Sequence, residues 1–139
     1  CANAKAEQRQ CKSRAALKRK KSYKELTDTM EFYAGGEVGV CTMPKKLLAA
    51  FTVTEDDLDS ISGFARSIEG VKIGVMIREV EDGLGKISLR TEAPYDASAI
   101  CQRLGGGGHA AAAGASVPGG IAGAKAAILR ALAESGVRL

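Results

Sequence analysis

Val71-Lys72-Ile73-Gly74-Val75-Met76-Ile77-Arg78-Glu79-Val80, then Glu81-Asp82-Gly83-Leu84-Gly85, then Lys86-Ile87-Ser88-Leu89-Arg90-Thr91: this stretch, residues 71–91, decides the fold. Val71, Ile73, Val75 and Ile77 alternate along 71–80, which is the period of a strand with one face buried. The acidic, glycine-containing segment 81–85 is a turn, and 86–91 pairs back as a hairpin strand with Ile87 and Leu89 inward.

Working outward, Thr54-Glu55-Asp56-Asp57 sets a hydroxyl cap and carboxylates over the positive end of a helix. Leu58, Ile61, Phe64, Ala65 and Ile68 follow at helical spacing, and Gly70 stops the run. Residues 37–42, with Val38, Val40 and Cys41, read as a short strand; Pro44 suits the first turn of a helix carrying Leu47, Leu48 and Phe51. Residues 4–34 contain neither Pro nor Gly and many good helix formers. They are expected to form one long helix or two short ones, ended by Gly35-Gly36. Beyond the hairpin, Asp96 caps a short helix with Ala99, Ile100 and Leu104, a strand is expected near 114–117, and 119–135 is an amphipathic helix. Its inward positions are Ile121, Ala124, Ile128, Leu129 and Leu132. The fold class is α/β with α+β character: a mixed sheet around a central hairpin, with packed helices, preceded by a helical linker. The division is 1–35, a basic helical linker or the end of another domain, and 36–139, the folded domain.

The charge is unevenly placed. The 139 residues hold 20 Lys+Arg against 16 Asp+Glu, a net of +4. Residues 1–24 hold nine of the basic residues and one acid, so 25–139 hold 11 basic and 15 acidic ones. A basic arm of this kind suits an anionic partner or simply a solvated helix, and both readings stay open. No apolar run approaches the roughly 20 residues of a membrane span. One His excludes a multi-histidine metal site in this chain. Cys1, Cys11, Cys41 and Cys101 are irregularly spaced and without a Cys-x-x-Cys pair. They are expected to be thiols in a reducing cytoplasm, with Cys41 and Cys101 in the core.

The sharpest chemical feature is Gly105-Gly106-Gly107-Gly108-His109, followed by Ala110–Ala113 and Gly114. Residues without Cβ let a backbone approach a ligand and aim N–H groups at one point. A helical turn begun by the alanines would add positive potential, and an imidazole can donate to a phosphate oxygen. The combination suits phosphate capture. It is neither a dinucleotide fingerprint nor a P-loop, since no Lys-Ser or Lys-Thr follows. A glycine linker with a chance His remains the alternative. The second candidate is Arg90, which shares an exposed strand face with Ser88 and with it could bind a phosphate or a base edge. A solvated polar face is the bland reading of the same residues.

Four segments occur in one order: Ser-Ile-Glu-Gly-Val (67–71), Lys-Ile-Ser-Leu-Arg-Thr (86–91), Tyr-Asp-Ala-Ser-Ala-Ile (95–100) and Gly-Gly-Gly-Gly-His…Ala-Ala-Gly (105–114). Together, over about residues 36–135, they resemble the C-terminal DHH-associated domain of the DHH phosphoesterases. The branch resembled is that of the bacterial oligoribonucleases and phosphoadenosine-phosphate phosphatases, related to the RecJ exonucleases.

The resemblance implies a substrate-binding domain that closes over a separate catalytic domain of the same polypeptide, in which two manganese ions activate water. It implies that Arg90 and His109 hold substrate phosphate, that Gly106, Gly107 and Gly108 give backbone contacts, and that Ser88 and Thr91 support them. Thr91 departs from the Ser usual in the family, keeping the hydroxyl. The chain has no Asp-His-His motif, so no catalytic or metal residue is assigned within it. It is expected to be a C-terminal fragment, starting at Cys1, that binds substrate without hydrolysing it. The expected parent is a cytoplasmic, manganese-dependent hydrolase of short oligonucleotides or nucleoside 3′,5′-bisphosphates. The rivals are a non-catalytic nucleic-acid-binding module, and a relative acting on polyphosphate, single-stranded DNA or cyclic dinucleotides. The oligomeric state is left open.

Overall fold

The computed structural model describes residues 29–44, 63–80 and 83–139. The hairpin of residues 71–91 is its centre. Strand β3 (Ile73–Glu79) pairs antiparallel with β4 (Leu84–Thr91), with Val75 opposite Leu89 and Ile77 opposite Ile87. β2 (Val38–Met43) lies parallel to β3 on one side, and β6 (Ala112–Pro118) lies antiparallel to β4 on the other. The edges are β1 (Glu31–Tyr33), beside β2, and the two-residue β5 (Gly107–Gly108), beside β6. Among the described residues this is one mixed six-stranded sheet, ordered β1-β2-β3-β4-β6-β5.

Its two faces differ. Val38, Val40, Ile73, Val75, Ile77, Ile87, Leu89, Ala113, Ala115 and Val117 form one continuous apolar layer. Against it pack α2 (Ala97–Gln102), through Ala97, Ile100 and Cys101, and α3 (Gly120–Glu134), through Ala124, Ile128, Ala131 and Leu132. Burying such side chains is the main favourable term of folding, about 1.5–3 kcal/mol for each large one. The short α1 (Phe64–Ser67) lies on the opposite face. A Cβ on Gly74 would stand 2.6 Å from the Arg66 backbone nitrogen, so glycine is what lets that helix sit there.

Most expected elements are present: the strand at 37–42, the hairpin, the Asp96-capped helix, the strand at 114–117 and the C-terminal helix. Asp96 accepts the Ala99 N–H at 3.2 Å, the bond its capping position requires. Two expectations are corrected. The helix expected over 4–34 does not reach its far end, because Glu31–Tyr33 is a strand hydrogen-bonded to β2. Phe32 and Tyr33 fit a pleated edge, and Glu31 is tied to α3 by an ion pair with Lys125. The alanine run begins no helical turn either: Ala112 already belongs to β6. Beyond Pro44 itself, the helix expected through Phe51, the first part of that expected from Thr54, and the basic arm lie outside the described residues.

Candidate functional site

Along β4, Gly85, Ile87, Leu89 and Thr91 are buried, whereas Lys86 is exposed and Ser88 and Arg90 are half-buried. Residues paired across a ladder share a face. The register therefore sets three rows on the face opposite α2 and α3. Gly74, Arg90 and Ala112 form the first, Met76, Ser88 and Gly114 the second, and Arg78, Lys86 and Ser116 the third. β5 extends the second row with Gly107.

The glycine run closes this face. Gly105 N–H donates to Gln102 O at 3.1 Å and Gly106 N–H to Cys101 O at 2.9 Å, the paired bonds of a Schellman cap, with Gly105 at φ 79°. A Cβ at Gly106 would stand 2.1 Å from the Gly114 carbonyl oxygen, and one at Gly108 2.7 Å from that of Ala112. At Gly107 it would meet nothing within 4 Å. Three of the four glycines are thus demanded, Gly105 by its positive φ in the cap and Gly106 and Gly108 by the close strand; Gly107 alone has neither a positive φ nor a neighbour in the way. The chain then reverses: His109 N–H donates to Ala112 O at 2.8 Å, and Ala112 N–H to His109 O at 3.2 Å. Since antiparallel pairs alternate, Gly108 is a non-hydrogen-bonded pair and its amide faces the free edge. Of the three glycines expected to offer backbone contacts, Gly106 spends its N–H on α2 and Gly108 keeps its own available.

The same exchange places His109 opposite Ala112, which extends the first row to Arg90–Ala112–His109. With strands about 4.8 Å apart, the two outer Cα atoms stand roughly 10 Å from each other, with only a methyl group between. Arg90 donates through Nη1 to its neighbour Leu89 O at 3.2 Å. Among the described residues Glu31, Glu37, Glu92 and Glu134 are ion-paired with Lys125, Lys72, Arg66 and Arg103; on this face Arg78, Lys86 and Arg90 have no acidic partner, as is also true of Arg130 and Arg138 elsewhere. An open cavity of about 420 Å³ runs along the face, lined by Lys86, Ser88, Gly105, Gly106, Gly114 and Ser116 among others. The arrangement can hold an anion between a guanidinium fork and an imidazole.

Thr91 is placed differently from Ser88. It is 7% exposed, the one buried polar side chain among the described residues, and belongs to the inward face. Its hydroxyl lies 2.9 Å from Ala110 O and 3.1 Å from Tyr95 O, with one proton to share. Its N–H donates to Ala111 O at 3.0 Å, and Ala97 N–H donates to Ala110 O at 2.7 Å. Thr91 therefore touches the turn that follows His109, rather than the open face.

Lys86, Ser116 and Arg78 also belong to the face and were not singled out from the sequence. Lys86 continues the alternation of Ser88 and Arg90 and was legible from it. Ser116 and Arg78 needed the strand pairing. Among the described residues no three His, Cys, Asp or Glu side chains converge, so these donors do not fit a manganese pair. The sequence's one Asp-x-Asp spelling, Asp57-Leu58-Asp59, lies outside the described residues. Cys41 and Cys101 are buried free thiols. No helix among the described residues is long and apolar enough to cross a membrane.

Residues 41–135 match the family model of the DHHA1 domain. The chain belongs to that family. Over 95 residues this DHHA1 domain is 35% identical to the bifunctional oligoribonuclease and PAP phosphatase NrnA of Thermus thermophilus, and the match covers 68% of this chain and 28% of the relative. The chain thus spans under a third of that protein's length. In fold it is similar to an exopolyphosphatase-related protein from Bacteroides fragilis, with TM-score 0.74 and 22% identity over 84% of this chain and 34% of the other. It is also similar to the pGpG-specific phosphodiesterase PggH of Vibrio cholerae, with TM-score 0.55 and 12% identity over 85% of this chain and 40% of the other. The glycine-histidine segment and the Arg90 strand both lie inside the DHHA1 match.

Proposed function

We propose that this DHHA1 domain is the substrate-holding part of a phosphoesterase for short oligonucleotides or nucleoside 3′,5′-bisphosphates. The observation that carries the reading is the row Arg90–Ala112–His109, which sets a guanidinium and an imidazole on either side of a single methyl, beside the open groove along β4 and β6. Arg90 would fork onto two phosphate oxygens, and His109 and the Gly108 amide would donate to the others. Ser88, one row below, would meet the sugar or base edge, and Thr91 would hold the His109 turn. The relative's printed activities, on oligoribonucleotides and PAP, supply the substrate class.

Hydrolysis in this reading belongs to a catalytic domain elsewhere in a longer polypeptide, in line with the small share of the relative that the chain spans. Manganese held there would supply the activated water; this chain binds and orients. A cytoplasmic location is part of the reading and is in keeping with two buried free thiols.

The test is binding of adenosine 3′,5′-bisphosphate and of a 5′-phosphorylated diribonucleotide to the chain, compared with Arg90→Ala and His109→Ala. Each substitution is expected to weaken binding at least about ten-fold, the loss of one charge-assisted contact. Wild-type affinity in both variants would overturn the reading. So would salt-sensitive binding to long strands that survives Arg90→Ala and vanishes on deleting residues 1–24, which is what a nucleic-acid-binding module predicts. Manganese-dependent cleavage of the dinucleotide by this chain alone would contradict its non-hydrolytic role.

A further inference from the structure

The open face carries more positive charge than one phosphate needs. Arg78 and Lys86 are direct cross-strand partners, and Ser116 continues their row. Like charges set opposite one another repel, and among the described residues no carboxylate is bonded to either. A sheet that keeps an uncompensated pair of cations beside an open groove is suited to an anion from outside.

Lys86 and Ser116 line that groove together with Ser88 and Gly114, which lie between them and the Arg90 row. Four residues of strand separate Lys86 from Arg90, so their Cα atoms are about 14 Å apart. The span is long for the two phosphates of one nucleotide and suits a strand of a few nucleotides. The intervening row offers a hydroxyl, glycines and the buried Met76, but no cation. The ligand should therefore carry a neutral segment between its charges, as a sugar-phosphate strand does and a polyphosphate does not.

We propose that Arg78, Lys86 and Ser116 form a second anion anchor, for a further phosphate of a short single-stranded oligonucleotide whose first phosphate sits at Arg90 and His109. The ligand class rests on the phosphoesterase reading; the anchor deepens it by making strand length a determinant of affinity.

The experiment measures affinity of the chain for adenosine 3′,5′-bisphosphate, a 5′-phosphorylated tetraribonucleotide and inorganic tripolyphosphate, in the wild type and in Lys86→Gln, Arg78→Gln and the double variant. Circular dichroism confirms that each is folded. The wild type is expected to prefer the tetranucleotide over the bisphosphate, and that ratio should fall toward one in the double variant. The salt slope for the tetranucleotide should decrease by about 0.7 for each cation removed. An unchanged ratio and slope would overturn the anchor, and a tripolyphosphate affinity as sensitive to the substitutions as the tetranucleotide's would overturn its assignment to a strand. Arg90→Ala separates the two levels. Intact bisphosphate binding in that variant sinks the phosphoesterase reading. Lost bisphosphate binding, with the length preference of the double variant untouched, sinks the second anchor alone.

Discussion

The hydroxyl of Thr91 lies 2.9 Å from the carbonyl oxygen of Ala110, joining the buried end of β4 to the turn that carries His109. Thr91→Val keeps the shape and removes that donor, leaving the nearby Tyr95 carbonyl without it as well. The expected cost is about 0.5–1.5 kcal/mol in urea unfolding, the usual net worth of one hydrogen bond, since the Ala110 carbonyl keeps the Ala97 N–H. Bisphosphate affinity should fall further than stability accounts for, because the His109 turn loosens, and Thr91→Ser should restore both. Equal stability of the Val and Ser variants would refute the role.

Two neighbouring glycines should behave in opposite ways. Gly106→Ala drives a Cβ to 2.1 Å from the Gly114 carbonyl oxygen. Such overpacking costs on the order of 1–3 kcal/mol or more, since here the obstacle is backbone. Gly107→Ala meets open space and should melt within a few degrees of the wild type while impairing ligand binding. Thermal melts of the pair decide the matter; similar losses in both would contradict the assignment of the run.

Cys41 and Cys101 give a pH dependence. Burial pushes their thiols up to about 12 and about 11, above the ordinary value of 9.0. The folded chain therefore keeps protons that the unfolded chain gives up. This contribution is complete below the ordinary thiol range and declines as pH rises through the folded values. Cys101→Ala should accordingly show a flatter fall of stability with pH from about 9 upward, measured by denaturant unfolding across that range. Parallel curves would exclude the effect.

Lys86→Glu should separate stability from function. The new carboxylate faces Arg78 across the hairpin, replacing a repulsive pair by an attractive one. A gain of about 0.2–1 kcal/mol is expected, together with weaker oligonucleotide binding. Loss of stability would show that the two cations do not oppose each other.

What could be read in the sequence follows from which side chains speak. Ile73, Val75 and Ile77 opposite Ile87 and Leu89 announce their strands because their alternation is local, and Asp96 announces its helix by its capping chemistry. Arg90, Ser88 and His109 stood out from their neighbours. β5 is silent, because Gly107 and Gly108 have no side chain to alternate, and only their pairing with Gly114 and Ala113 reveals a strand. Glu31–Tyr33 is disguised for the opposite reason. It follows a long run of good helix formers, and pairing with β2 overrides that preference. That Arg90 and His109 share a row was not legible at all, since it depends on two registers that no local pattern encodes.

The row Arg90–Ala112–His109 crosses three strands and ends on a rim only two residues long. A phosphate gripped from both ends would act as a cross-brace, fastening the sheet's shortest strand to its centre. Ligand occupancy should thus slow amide exchange at Gly107–His109 more than in β3, so that the site reports on the closure of its own edge.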